Sequence, residues 1–435
     1  MTANRTNIST SADGTDIFTV GASDSPFTNL GKLSTAGAFS SPIHAGSNGV
    51  VVINKGDLLT TGEGSVGIIA YDSANFFVNN VTIKNYATII TQAFGDNLSF
   101  ADGIDAYGNA NKVTNYGTIN VADPAASAIY SVGAGSTIVN YGALNGSGNG
   151  IYIDVDDGTE TGNTVINYGS IHTTFDDDVT PMSHGIWVHS ENNVIRNYGF
   201  IQADGYNGFG ISMEAAGNHA ENYGTILVTG EIARGVLLVG ERDSFDNYGL
   251  VRATGEGGLG VRFSSQNPLG SDGGVFTNYG KVEGAARSVS GVDSDDHVVN
   301  RGALVGDVSL GAGSDSFVAG KNSSLDGILR MGDGDDLIVF EKGGGKLTIA
   351  DFTAGASTDD VIDLSGLGCH SLADVLSHAS QSGADVVLKF GAKDQIVLQD
   401  VTLASLAADD FSFASFTFDH AMAAISVLHV DYMFG

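Results

Sequence analysis

Two short stretches in the last third of the chain have the residue types and spacing that suit a hard cation. Gly311-Ala312-Gly313-Ser314-Asp315 is followed, 21 residues on, by Gly332-Asp333-Gly334-Asp335-Asp336. Glycines at alternate positions let backbone carbonyls converge, and the aspartate that closes each stretch supplies a carboxylate oxygen, which together suit Ca2+. The predicted metal residues are therefore Gly311, Gly313, Asp315, Gly332, Asp333, Gly334 and Asp336, with Ca2+ as the cofactor. Other acidic loops contain Asp154, Asp156 and Asp157; Asp176 to Asp178; and Asp293, Asp295 and Asp296. The last of these, beside the glycine-aspartate stretches, is as readily a calcium loop as a solvated one. The first two read as solvated loops that keep the chain soluble.

A second constellation emerges when strands that open with Gly are aligned. Tyr130, Tyr152 and Trp187 fall in one outward column, and Asp154, His189 and Glu214 fall in another two residues further on. Stacked neighbours would be about 4.8 Å apart. An aromatic strip beside carboxylates and an imidazole is a candidate glycan face, with His189 or a carboxylate as base. A plain solvent-facing side with polar and aromatic residues explains the same pattern and is preferred. A lyase acting on acidic glycans also needs cations at the substrate carboxylate, and the nearby Arg196, Arg234, Arg242 and Arg262 lie on different strands or loops. His184 and His219 are isolated, and no H-E-x-x-H occurs, which excludes a zinc protease of that type. No catalytic residue is assigned.

The elements that must position these residues are set by a recurring phrase, Asn-Tyr-Gly. It occurs at Asn115, Asn140, Asn167, Asn197, Asn222, Asn247 and Asn278, with degenerate copies at Asn29, Asn54, Asn85 and Asn300, separated by 22 to 31 residues. Around it, apolar and variable residues alternate with the period of a strand buried on one face. Among 435 residues there are 61 Gly and only 5 Pro, so turns are plentiful and strands are free to donate to ladders. A repeat of this length built from short strands implies an all-β parallel β-helix of roughly eleven coils, a rod about 50 Å long. The expected divisions are a cap strand over 1–26, the β-helix over 27–303 and a calcium-binding and secretion region over 304–435. Within each coil, Asn should pair with its equivalents above and below, Tyr should stack on Tyr, and Gly should allow a positive φ at the bend. The phrase should thus belong to the core and corners of the scaffold. A short helix is predicted over Leu372 to Ala379.

Net charge is −31, which disfavours nucleic acid and anionic headgroups and favours divalent cations. Cys369 is the only cysteine, so no intramolecular disulfide forms. The sequence as given shows no apolar leader of a cleaved signal peptide and no apolar run of about 18 residues, so membrane insertion is not expected.

Residues 304–435 resemble the carboxy-terminal region of RTX proteins exported by type I secretion. The resemblance rests on the two G-x-G-x-D stretches, on Ile349-Ala350-Asp351-Phe352 followed by Asp360-Val361-Ile362-Asp363-Leu364-Ser365, and on Asp394-Gln395-Ile396 through Asp410-Phe411. The terminal Asp431-Tyr432-Met433-Phe434 is also similar to such secretion signals. The resemblance implies passage through type I secretion machinery without a cleaved leader, and calcium-dependent folding outside the cell. With only two copies of the motif, it implies one or two calcium sites. The Asn-Tyr-Gly block resembles bacterial surface β-helix repeats, a likeness of fold. The expected protein is an extracellular, calcium-binding structural protein that self-associates at the cell surface as a layer, filament or biofilm matrix, since coil ends leave strand edges that can template a neighbour. The alternatives are a polyuronate lyase or epimerase, and a monomeric adhesin that binds cell-surface polysaccharide.

Overall fold

A computed structural model describes residues 2–92, 101–155, 158, 161–174, 183–264, 272–356 and 360–413. Asp156, Asp157, Asp176 to Asp178 and the terminal Asp431 to Phe434 lie outside them. The described residues form a stack of short parallel strands, three to most coils, that builds a parallel β-helix. One ladder runs from Thr2–Asn4 to Phe411–Ser412 as a sixteen-stranded sheet. Its strands through Asp295–Asn300 end on the recurring asparagine, and the stack continues through Ser316–Ala319 and Leu337–Phe340 in unbroken parallel register. The rod is therefore longer than the asparagine count alone suggested. A second ladder holds the strands that follow each Asn-Tyr-Gly, such as Ser170–Thr173 and Phe200–Ala203. A third holds the Gly-led strands, such as Asn149–Asp154, His184–Val188 and Phe209–Met213.

Register is exact enough that chemically equivalent residues superpose coil after coil, because a one-residue slip would turn every apolar side chain outward. Inward positions such as Ile138, Val165 and Ile195 in the first ladder, Ile171 and Ile201 in the second, and Ile151, Ile186 and Ile211 in the third are wholly buried. They form one core that extends from Val20 to Phe411.

The asparagines form a continuous hydrogen-bonded column inside this core. Asn140 Nδ2 donates to Asn167 Oδ1 at 2.9 Å, Asn167 Nδ2 to Asn197 Oδ1 at 2.8 Å, and the chain of amides runs unbroken from Asn4 to Asn300. The remaining amide hydrogen and lone pair close a local turn on the Gly two residues later, as in Asn140 with Gly142. Each buried amide is thus saturated, the condition for tolerating it in an apolar core. Tyrosines stack ring on ring as expected, with centroids 5.0 Å apart for Tyr141 and Tyr168 and 4.9 Å for Tyr168 and Tyr198. They do so on the outer surface, each between 42 and 49 % exposed from Tyr86 to Tyr279. The Gly has a different cause from the one expected. These glycines do not have positive φ; a Cβ on Gly199 would lie 2.0 Å from the Gly169 carbonyl oxygen of the coil below. Close approach of backbones, not a left-handed bend, is what favours Gly here.

The segment 1–26, read above as a cap strand, supplies three strands, Thr2–Asn4, Ile8–Thr10 and Phe18–Val20, each paired with the coil that follows. At the other end a helix, Leu372–His378, begins with Ser371 Oγ accepting from Asp374 N at 3.2 Å. It leads into an antiparallel hairpin, Ala379–Ser382 with Asp385–Lys389, which packs on Gln395–Leu398. Among the described residues no helix is long and apolar enough to cross a membrane.

Candidate functional site

The glycine-aspartate stretches occupy the corner that leads into the first ladder, and that corner carries its own column of side chains. Through the middle of the rod the column is neutral. Asn163 N donates to Asn193 Oδ1 at 2.8 Å and Asn193 N to Asn218 Oδ1 at 2.9 Å, while each amide nitrogen turns back to a carbonyl three residues earlier, Ser190 O or Ala215 O. Asp243 continues the column and satisfies its second oxygen with Gly240 N at 3.0 Å. Further on the column becomes wholly acidic. Gly274 N donates to Asp296 Oδ1, Asp296 N to Asp315 Oδ1 at 2.8 Å, and Asp315 N to Asp336 Oδ1 at 2.8 Å.

These three carboxyls are buried, yet Oδ2 of Asp296, Asp315 and Asp336 has no hydrogen-bond partner. Burial, reinforced by neighbouring aspartates, pushes Asp315 up to about 8. Burial likewise pushes Asp296 and Asp336 up to about 7. An orphaned carboxylate oxygen repeated in successive coils is costly unless a cation or a proton meets it. The donor type is the hard oxygen that Ca2+ takes.

The glycines of the motif are explained by stacking. Gly311 and Gly332 are in register with φ of +111° and +113°, and Gly313 and Gly334 have φ of +138° and +137°. A Cβ on Gly332 would lie 1.6 Å from Gly311 O. Asp333 sits exposed on the same turn. Asp351, not singled out in the sequence as a ligand, accepts from Met331 N at 3.2 Å and Gly332 N at 3.1 Å and so braces the turn from the next coil. Among the described residues no three His, Cys, Asp or Glu side chains converge on one point. A cation held here would take one carboxylate per coil, from Asp315 and Asp336, and its other oxygens from turn carbonyls.

The second constellation is brought together in full. Tyr130, Tyr152 and Trp187 are in register on the third ladder. Tyr130 Oη donates to Asp154 Oδ2 at 2.9 Å, and Trp187 Nε1 donates to Glu214 Oε1 at 2.8 Å. His189 lies between the two acids: Nε2 is 3.0 Å from Glu214 Oε2, and Nδ1 is 2.9 Å from Tyr152 Oη and 3.5 Å from Asp154 Oδ1. Burial opposes a charge on the imidazole, but hydrogen bonds to Asp154 and Glu214 outweigh it and hold His189 at about 9. Both carboxyls are correspondingly lowered against their own burial. The strip is longer than the sequence suggested. Tyr71 and Tyr107 extend it at one end, and at the other His184 stacks on Trp187 at 4.4 Å and on Phe209 at 4.8 Å. His184, which looked isolated, is buried and drawn down to about 3 by desolvation, so it is a neutral ring in the stack.

The geometry limits what this cluster does. An imidazolium with both nitrogens engaged accepts no proton at neutral pH. The Trp187 ring has Tyr152 on one face, 4.3 Å away at 13°, and His184 on the other. A sugar that stacks on an aromatic needs a free ring face, and Trp187 is stacked on two neighbouring rings. No protein-family model matches the chain, and no curated protein shows significant similarity to it.

Proposed function

We propose that the chain is a secreted, calcium-binding structural protein whose solenoid self-assembles at the cell surface. The observation that carries the calcium reading is the run of buried, unpartnered carboxylate oxygens at Asp296, Asp315 and Asp336. The neutral Asn corners show that the fold does not require acid there, so the change to Asp is a change of chemistry. Calcium that neutralises this column would lock the last coils and so couple folding to arrival in a calcium-rich medium. Export through a type I machinery, as the RTX-like tail suggests, fits that order of events.

Self-assembly is supported by the strand edges. Among the described residues Thr2–Asn4, Ile8–Thr10 and Phe18–Val20 pair on one side only, and a strand edge of this kind is a template for strand addition. A glycan-active enzyme is disfavoured by the clamped His189, and the cluster is better read as a brace that ties four coils together. Calorimetric titration of the full chain with Ca2+ tests the calcium reading. One or two sites are expected, and both heat and thermal stabilisation should vanish in the Asp315→Asn, Asp336→Asn double variant. No heat and no stabilisation in the native chain would remove it.

A further inference from the structure

Several cations of this acidic chain are matched with carboxylates across coils: Arg196 with Glu221, Arg252 and Lys281 with Glu283, Arg301 with Glu341, and Arg330 with Asp307. Three arginines on the third ladder form no ion pair among the described residues, and only Arg287 has a carboxylate near enough to feel its charge, Asp307. Arg234 opens the strand Arg234–Leu238, Arg262 lies on the next strand, Leu259–Phe263, and Arg287 is in register with Leu259 on the strand after that. In the sequence they belong to separate segments; the stack puts one on each of three successive coils. Among the described residues none of the three has an ion pair, and the exposed Glu231 and Glu256 in the adjoining turns pair with neither. Asp307, in register beyond Arg287, already accepts from Arg330 Nη1 at 2.7 Å and from Ile328 N at 2.9 Å.

Arg234 is held in place. Its guanidinium lies over the Phe209 ring, 5.1 Å from the centroid, and donates to Asn207 Oδ1, while its Nε is buried with no partner. Burial and Arg262 draw Arg234 down to about 10, and burial and Arg287 draw Arg262 down in turn. A half-buried cation beside a like charge costs stability. The scaffold does not ask for it: the Arg234 position is filled by His184, Phe209 and Leu259 in neighbouring coils, and the Arg262 position by Trp187, Ser212, Leu237 and Ser290. Folding is served equally by neutral residues in both columns.

We propose that Arg234, Arg262 and Arg287 form a binding site for oxyanion groups, carboxylate, sulfate or phosphate, borne by an acidic glycan or free in solution. Guanidinium groups offer paired donors that match such groups. Their placement at one per coil, about 4.8 Å of rise, suits an extended polyanion laid along the rod. The surrounding net charge of −31 is screened beyond about 8 Å at physiological salt, so the local patch decides the contact. The site is separate from the aspartate column and goes beyond the proposed assembly role.

The test is binding by the full chain, with chelator present so that calcium bridges nothing. The probes are a uronate oligosaccharide, a sulfated oligosaccharide, inorganic sulfate and inorganic phosphate, compared in native protein, Arg262→Gln with Arg287→Gln, and Arg242→Gln as control. Native protein and the control should bind, with affinity falling as salt rises, and the double variant should lose at least tenfold. Preference for the oligosaccharides over the inorganic ions assigns the site to an acidic glycan, and equal affinity assigns it to free anion; either supports the proposal. The exposed Arg287→Glu variant, checked for native melting, should abolish binding by itself. Absence of binding by all four probes, or binding unchanged in the variants, overturns it. So does an oligomer that dissociates in Arg287→Glu without any anion affinity in the native chain, because the patch then meets a second copy.

Discussion

Replacing Asp315 by Asn should reverse its effect on stability according to whether calcium is present. Asp315 Oδ1 accepts from Asp296 N at 2.8 Å, while Oδ2 is buried and has no hydrogen-bond partner in the protein. Asn keeps the acceptor and puts a donor in place of the orphaned oxygen, as Asn193 and Asn218 do at equivalent corners. Relief of one buried, unsatisfied group is worth about 1–3 kcal/mol, so without calcium the variant should be the more stable chain. With calcium at about a hundredfold excess over its dissociation constant, the native chain gains about 2.7 kcal/mol. The variant has lost the charged ligand and should gain little. Denaturant midpoints at pH 7.5, with calcium or with chelator, would therefore cross over. A variant less stable than the native chain without calcium, and equally stabilised by it, would refute the reasoning.

Other expectations follow from the scaffold. Asn167→Ala removes four amide contacts, to Asn140, Asn197, Gly169 and Phe200, and at about 1 kcal/mol each should cost about 3–4 kcal/mol, seen as faster hydrogen exchange centred on that coil. Gly199→Ala forces a methyl to within 2.0 Å of a backbone oxygen and should lower the melting temperature more than Tyr198→Ala, which loses ring contacts on a solvent-facing stack. His189 is raised to about 9, so its stabilisation is complete below its unfolded value near 6.5 and is lost as pH rises through about 9. Denaturant midpoints between pH 7 and 10 should fall by up to about 2–3 kcal/mol equivalent, and His189→Gln should flatten that dependence.

The fold was legible because a solenoid writes its register into the sequence: Asn-Tyr-Gly recurs where side chains superpose. The role of its Gly was not, because the reason lies in the carbonyl of another coil, which no local pattern reveals. The six residues of the His189 cluster were found by aligning Gly-led strands, since lateral neighbours in a parallel stack are equivalent positions. Their chemistry depends on which ring faces and nitrogens stay free, and that is set by rotamers. His184 and Phe209 escaped because they precede the Gly that anchored the alignment. Arg287 escaped because its strand, Lys281–Ser290, spans two faces and shifts register between Glu283 and Val289. The aspartate motif could be read for its donors, whereas the missing partners of Asp315 and Asp336 required the buried column.

The most direct measurement is electron microscopy and size-exclusion chromatography of the purified full chain, with calcium and then with chelator. Ordered polymers that form on calcium addition and dissolve when it is removed are the expected result. A monodisperse monomer under both conditions would contradict the account.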